Sequence, residues 1–212
     1  MRFALAALLI LSAAPVLAEE VTCDGLFNKD ATLADFEAAF GKDNVVTGTV
    51  PGPEGFEYTA TTVFGGDPDR EMQIRWWDEA NVQFFAGVTL AKGDTGPGGV
   101  RIGMPIEEVE RINGEPFTLW GFFWDYGGAA GFDTGHLGDV LGGCFLNLHF
   151  TPTLEPLPED ISLAISGDIE LRSDQAEVRA AKIVVDEINL GFPYPPELEE
   201  QLGGEGEEGT AE

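Results

Sequence analysis

His136 and His149 are the only imidazoles in the chain, and Asp125, Asp133 and Asp139 lie near them in sequence. Histidine beside a carboxylate is the pairing that acid–base hydrolysis or a small metal site needs. A hydrolase-type centre around Asp125, His136 and His149 is therefore one chemistry to weigh. The spacing does not favour it. There is no H-x-x-H, no H-E-x-x-H and no EF-hand pattern. No G-x-S-x-G nucleophile turn, P-loop or dinucleotide glycine fingerprint occurs either. The residues imply no cofactor and no metal.

A second set of residues points to binding rather than bond-breaking. The segment from 117 to 126, FTLWGFFWDY, reads as a strand with aromatic side chains on both faces. One face carries Phe117, Leu119, Gly121 and Phe123; the other carries Thr118, Trp120, Phe122, Trp124 and Tyr126. Upstream, Arg75 and Trp77 share the outward face of a strand whose other face holds Met72, Ile74 and Trp76. Downstream, Phe145, Asn147 and His149 alternate with Cys144, Leu146, Leu148 and Phe150. Clusters of Trp, Tyr and Arg on an open surface are typical of interaction hot spots. The candidate binding residues are thus Arg75, Trp77, Trp120, Trp124, Asp125, Tyr126 and His149. The competing reading buries both faces. At the Trp124-Asp125-Tyr126-Gly127-Gly128 corner the glycines permit positive φ and close backbone approach, and Asp125 can close an Asx-type turn.

These residues sit on elements that occur twice. Thr32 caps a short helix with Leu33, Phe36, Ala39 and Phe40 as its apolar stripe, and Gly41 ends it. Pro105 opens a second helix at its N1 position, with Ile106, Val109 and Ile112 as the stripe and Gly114 as the stop. Leu33 matches Ile106, Phe36 matches Val109, Ala39 matches Ile112 and Gly41 matches Gly114, every pair at the same separation along the chain. Glu107 and Arg111 are placed for an i, i+4 pair. Alternating segments within 45–50, 56–64, 71–78 and 82–90 read as an antiparallel meander after the first helix. Val82, Phe84, Ala86, Val88 and Leu90 are expected on one face of the last of these. After the second helix come the aromatic strand, a long glycine-rich loop over 127–143, a strand over 144–151, and strand candidates at 161–165 and 181–190. Residues 173–179 read as a turn or short helix.

The fold expected is α+β, as two tandem repeats, each a short helical segment packed on an antiparallel sheet. The boundaries read 1–18 signal peptide, 19–93 first repeat, 94–193 second repeat and 194–212 a disordered acidic tail.

Arg2, the apolar run Phe3–Leu11 and the Val16-Leu17-Ala18 site have the form of an export signal cleaved after Ala18. The residues before Cys23 lack a lipoprotein pattern, and no later segment is apolar enough to span a bilayer. A periplasmic location follows. The chain has only two cysteines, Cys23 and Cys144. In an oxidising compartment their default reading is one disulfide, with free thiols or metal ligands as the alternatives. The net charge of −27 argues against nucleic acid and anionic membrane partners. Its plain reading is solubility. A protein partner in the cell envelope fits an exported binding module, with a structural protein of the envelope as a further alternative; the oligomeric state is left open.

The string RIGM…EEVERINGEPF…GFFWDYGG, with its upstream echo, resembles the β-lactamase-inhibitor-protein architecture. The helical motif GMPIEEVERINGEP is similar in type to that of the small lipoprotein of the outer-membrane β-barrel assembly machinery. The whole string looks closest to a family of uncharacterised exported bacterial proteins. In the inhibitor proteins a concave sheet face presents aromatic and polar side chains to an enzyme. The resemblance therefore implies contact roles for Trp77, Trp120, Trp124, Tyr126 and His149. Fold analogy alone does not transfer the partner. A single cysteine pair between the repeats departs from a one-disulfide-per-repeat pattern, and the absence of a lipoprotein signal departs from the assembly lipoprotein.

Overall fold

The structure, a computed structural model, describes residues 20–199. Residues 1–19, with the expected export signal, and residues 200–212 of the expected tail lie outside the described residues. The chain is α+β. Its helices are α1 (Leu33–Phe40), α2 (Ile106–Asn113), α3 (Glu159–Ile165) and α4 (Ala176–Ala180). Its strands are β1 (Val45–Pro51), β2 (Glu57–Val63), β3 (Met72–Asp78), β4 (Gln83–Thr89), β5 (Thr118–Trp120), β6 (Ala129–Gly131), β7 (Phe145–Pro152), β8 (Glu170–Arg172) and β9 (Ile183–Gly191).

Instead of one sheet for each half, a single seven-stranded antiparallel sheet runs through the molecule in the order β1-β2-β3-β4-β9-β7-β6. Strands β4 and β9 pair at its middle over Gly87–Thr89 and Asn189–Gly191. A separate ribbon joins β5 and β8.

The helices form as their caps dictate. Thr32 accepts from the Asp35 amide, and the Asp35 carboxylate accepts from the Thr32 amide, which satisfies two free N-terminal donors of α1. Gly41 and Gly114 close α1 and α2 with φ of 85° and 84°. Glycine adopts that conformation at little cost. Pro105 is the N-cap of α2 rather than its first residue. Each helix is so short that it is stable only through what it buries. Phe36 lies against Trp76 and Phe85, and Ile106 and Val109 are fully buried. Ile165 of α3 and Val178 of α4 join the same core, so α1 to α4 sit on one face of the sheet. The expected Glu107–Arg111 pair is replaced. Arg111 reaches Glu108 at 3.4 Å, because Arg179 from α4 engages Glu107 at 3.6 Å and Glu110 at 2.7 Å.

Two bulges reconcile the sequence with a one-sided core. A strand keeps a face only every second residue, so an apolar pattern that changes parity needs one extra residue. In β4, Phe85 faces inward opposite Trp76 while Gly87 stands opposite Arg75, leaving Ala86 as the extra residue. This corrects the expected face of Val82, Phe84, Ala86, Val88 and Leu90: Phe85, Val88 and Leu90 are the buried ones. In β9, Ile183 and Val185 face inward with Ile188 and Leu190, and Asp186 is the extra residue between Val185, opposite Phe150, and Glu187, opposite His149.

Three further expectations are corrected. Residues 161–165 belong to helix α3, not to a strand. The aromatic strand ends at Trp120 and the alternation breaks after it: Phe122 is buried and Phe123 is 65% exposed, the reverse of their expected faces. One cause is Gly121, where a Cβ would lie 2.5 Å from the Gly167 carbonyl oxygen. The other is Phe123 itself, which holds left-handed backbone with φ of 65°. The loop over 127–143 is not structureless, since it supplies β6 and a 3-10 turn at His136–Gly138.

Cys23 and Cys144 form a disulfide across a sequence separation of 121 residues. On the chain-entropy account, closing a loop of that length stabilises the fold by roughly 4–5 kcal/mol. No described helix is long and apolar enough to cross a membrane.

Candidate functional site

With the helices on one face, the other face of the sheet carries a row of polar side chains. Arg75 in β3, Thr89 in β4 and Asn189 in β9 are joined across three strands. The Arg75 guanidinium donates from Nη1 to Thr89 Oγ1 at 3.1 Å and to Asn189 Oδ1 at 3.2 Å, and the Thr89 hydroxyl donates to the same Asn189 oxygen at 2.6 Å. Tyr58 donates to Gln73 Oε1 at 2.6 Å beside them. Gly87 and Gly191 lie between Arg75 and Phe145 in the register. A Cβ on Gly87 would strike the Leu190 carbonyl, and one on Gly191 would lie 2.6 Å from the Phe145 ring. The glycines thus let Arg75 and Phe145 lie flat over bare backbone. Phe145 remains exposed, and Asn147 and His149 are partly so, while Leu146, Leu148 and Phe150 are buried.

His149 is fixed by the β9 bulge. Its Nδ1 lies 2.7 Å from Asp186 Oδ1, and the ring also meets the backbone carbonyl of Gly127. The hydrogen bond to Asp186 raises the imidazole pKa above its usual value, with burial opposing and the charges of Asp186 and Glu187 assisting. Gly127 belongs to the Trp124–Gly128 corner, so this imidazole couples β7, β9 and the corner. Gly128 crosses β7 closely: its carbonyl accepts from the Phe150 amide at 2.9 Å, and a Cβ there would strike the Phe150 carbonyl.

The candidate aromatics fall into two groups. At the β6 edge, Trp120, Trp124 and Tyr126 form a chain of edge-to-face contacts, with ring centroids 6.2 Å and 5.4 Å apart. That is the arrangement aromatic quadrupoles prefer. Trp124 Nε1 donates to the Gly121 carbonyl at 2.8 Å, which fixes its ring. Trp120 and Tyr126 are 40% and 48% exposed. Asp125 is exposed and makes no side-chain hydrogen bond among the described contacts. Trp77 stands apart from that group and meets Tyr194 edge to face at 5.2 Å. Trp77 and Tyr194 line a cleft of about 540 Å³ with Phe84, Phe85, Phe192 and Lys29. Val82 and Phe84 near it hold left-handed backbone, with φ of 56° and 57°. That conformation costs a β-branched or aromatic residue about 1–3 kcal/mol.

Sequence reasoning misses Thr89, Asp186, Asn189 and Tyr194. Tyr194 falls in the segment that reads as tail; there Leu198 is buried and residues 196–199 are helical. The parity break in Ile183-Val184-Val185-Asp186-Glu187-Ile188 is the signal for Asp186. The groups of the hydrolase reading do not converge. His136 Nδ1 bonds the Ile112 carbonyl at the end of α2, His149 bonds Asp186 on the opposite face of the sheet, and no hydrogen bond joins either to Asp125 among the described residues. Among the described residues no group of three His, Cys, Asp or Glu side chains is placed to hold a metal ion. No family model, curated protein or solved structure matches the chain.

Proposed function

We propose that this chain is an exported, periplasmic, non-enzymatic binding protein that takes a protein partner of the cell envelope on the open face of its sheet. The observation that carries the reading is the organised row Arg75–Thr89–Asn189 on the face opposite α1 to α4, continued by His149 and ending in exposed aromatics at both sides. Polar groups already held by their neighbours lose little conformational entropy on binding, and Trp and Tyr supply area at the rim. The disulfide fits an oxidising compartment. We also read the two halves as duplicates. Phe36 and Val109, equivalent in the repeat, are both fully buried, Gly41 and Gly114 end both helices, and β4 and β9 meet at the centre of the sheet.

The test is alanine at Trp120 and Trp124 together. Partner capture is lost while the melting temperature falls by less than about 4 °C. A large fall in melting temperature, or capture that persists, overturns the reading.

A further inference from the structure

Among the described residues the outermost strand, β1, pairs only with β2. Its hydrogen-bonded positions follow from the flanking bonds: the Phe64 amide donates to the Asn44 carbonyl, and the Gly52 amide to the Phe56 carbonyl. Antiparallel ladders alternate, so in this register Val46, Gly48 and Val50 exchange bonds with β2. Thr47 and Thr49 turn their N–H and C=O groups to the free edge. Natural edges are blunted by charge, proline, bulges or shortness. Here the strand runs its full length against β2 without a register shift, and residues 44–53 hold no charged side chain in a chain with 38 acidic residues. Proline enters only at Pro51, the last residue of β1.

The segment Val46-Thr47-Gly48-Thr49-Val50 reads the same in both directions. We propose that β1 pairs antiparallel with β1 of a second copy of this chain about a two-fold axis at Gly48, extending the sheet across both subunits. In that register Val46 faces Val50 of the second copy, Thr47 faces Thr49, and Gly48 faces Gly48. Thr47 and Thr49 are the hydrogen-bonded pairs, which uses the N–H and C=O groups that β2 leaves free. Within the five-residue segment every cross-strand pair is then like with like, and Val45 faces Pro51 just outside it. Val46, 63% exposed on the outer face, gains cover from Val50. A one-residue slip sets Val against Thr and loses this match. The closed, isologous contact stops at two chains. The net charge of each copy opposes association, so the dimer strengthens as salt screens it. The inference is independent of the ligand assigned to the open face.

The register has a direct chemical test. Gly48 is the central non-hydrogen-bonded pair, where Cα atoms approach to about 4.5 Å, within disulfide range. A Cβ built on Gly48 meets nothing within 4 Å, and the native cysteines are already bonded to each other. Gly48→Cys is expected to cross-link to itself under mild oxidation about ten-fold or more faster than Val46→Cys, whose counterpart in the second copy is well offset along the pair. Thr49→Pro removes one outward N–H and is expected to raise the dimer Kd about ten-fold or more in sedimentation at high salt. Val46→Lys, on an exposed side chain, is expected to do the same where the proline variant melts early. A protein that stays monomeric at every concentration and salt, or Gly48→Cys cross-linking no faster than Val46→Cys, overturns the proposal.

Discussion

Trp76 and Trp77 are neighbours in one strand and belong to different parts of the molecule. Trp76 is 4% exposed, packs against Phe36 and Phe85, and donates its indole N–H to the buried Thr61 hydroxyl at 2.9 Å. Trp77 is 37% exposed and touches Tyr194 at the rim of a cleft. The same contrast holds across the sheet. Its inner face is continuous core, while its outer face is a row of hydrogen-bonded polar groups ending in aromatic clusters. Stability resides on the first face, and the proposed recognition on the second.

The largest effect that sharpens the contrast is Trp76→Ala. It is expected to cost about 3–5 kcal/mol in urea unfolding, because the cavity lies at the centre of the packed layer. Trp77→Ala, one residue on, is expected to cost under about 1 kcal/mol. Equal costs would dissolve the distinction between the faces. Thr61→Val keeps the shape and leaves the Trp76 indole N–H buried without an acceptor, for an expected loss of about 1–3 kcal/mol. The same change at the exposed Thr49 is expected to lie within about 0.5 kcal/mol of zero. Arg75→Ala removes the side chain that ties β3 to β9. It is expected to lower stability by about 1 kcal/mol and to weaken partner capture by more than that loss of folded protein explains.

The smallest effect concerns His149. Its folded pKa lies above its unfolded value of about 6.5, so its contribution is fully present below that pH and is lost as pH rises through the folded value. Unfolding measured across this window is expected to show stability falling with rising pH, with the slope reduced in His149→Gln. Asp186→Asn is expected to lower the His149 pKa toward the ordinary range in an NMR titration. An unchanged titration would break the assignment of Asp186 as the cause.

Much of this frame is legible in the residues. The Thr32 cap, the stops at Gly41 and Gly114, the outward placement of Arg75, Trp77, Asn147 and His149, and the cysteine pair all follow from local rules that hold without tertiary knowledge. The rest fails for identifiable reasons. Helix α3 reads as a strand because Ile161-Ser162-Leu163-Ala164-Ile165 alternates in apolarity, yet Leu163 and Ala164 face solvent and only Ile165 is buried. The aromatic strand reads on past Trp120 because nothing local reveals that Gly121 must clear the Gly167 carbonyl. The row Arg75–Thr89–Asn189 joins residues up to 114 positions apart, and the Asp186–His149 bond depends on a bulge. Such pairings come from strand order, which a two-repeat reading lays out as two sheets rather than one.

Whether the outer face is the recognition surface is tested most directly by site-specific photo-crosslinking in cells that produce the protein. The photoreactive side chain is placed at Phe145 on the outer face and, in a second variant, at exposed Leu163 on the helical side. A discrete heavier adduct is predicted from position 145 alone, lost when Trp120 and Trp124 are both alanine. No adduct at 145, an equal one at 163, or one indifferent to the two tryptophans would contradict the assignment.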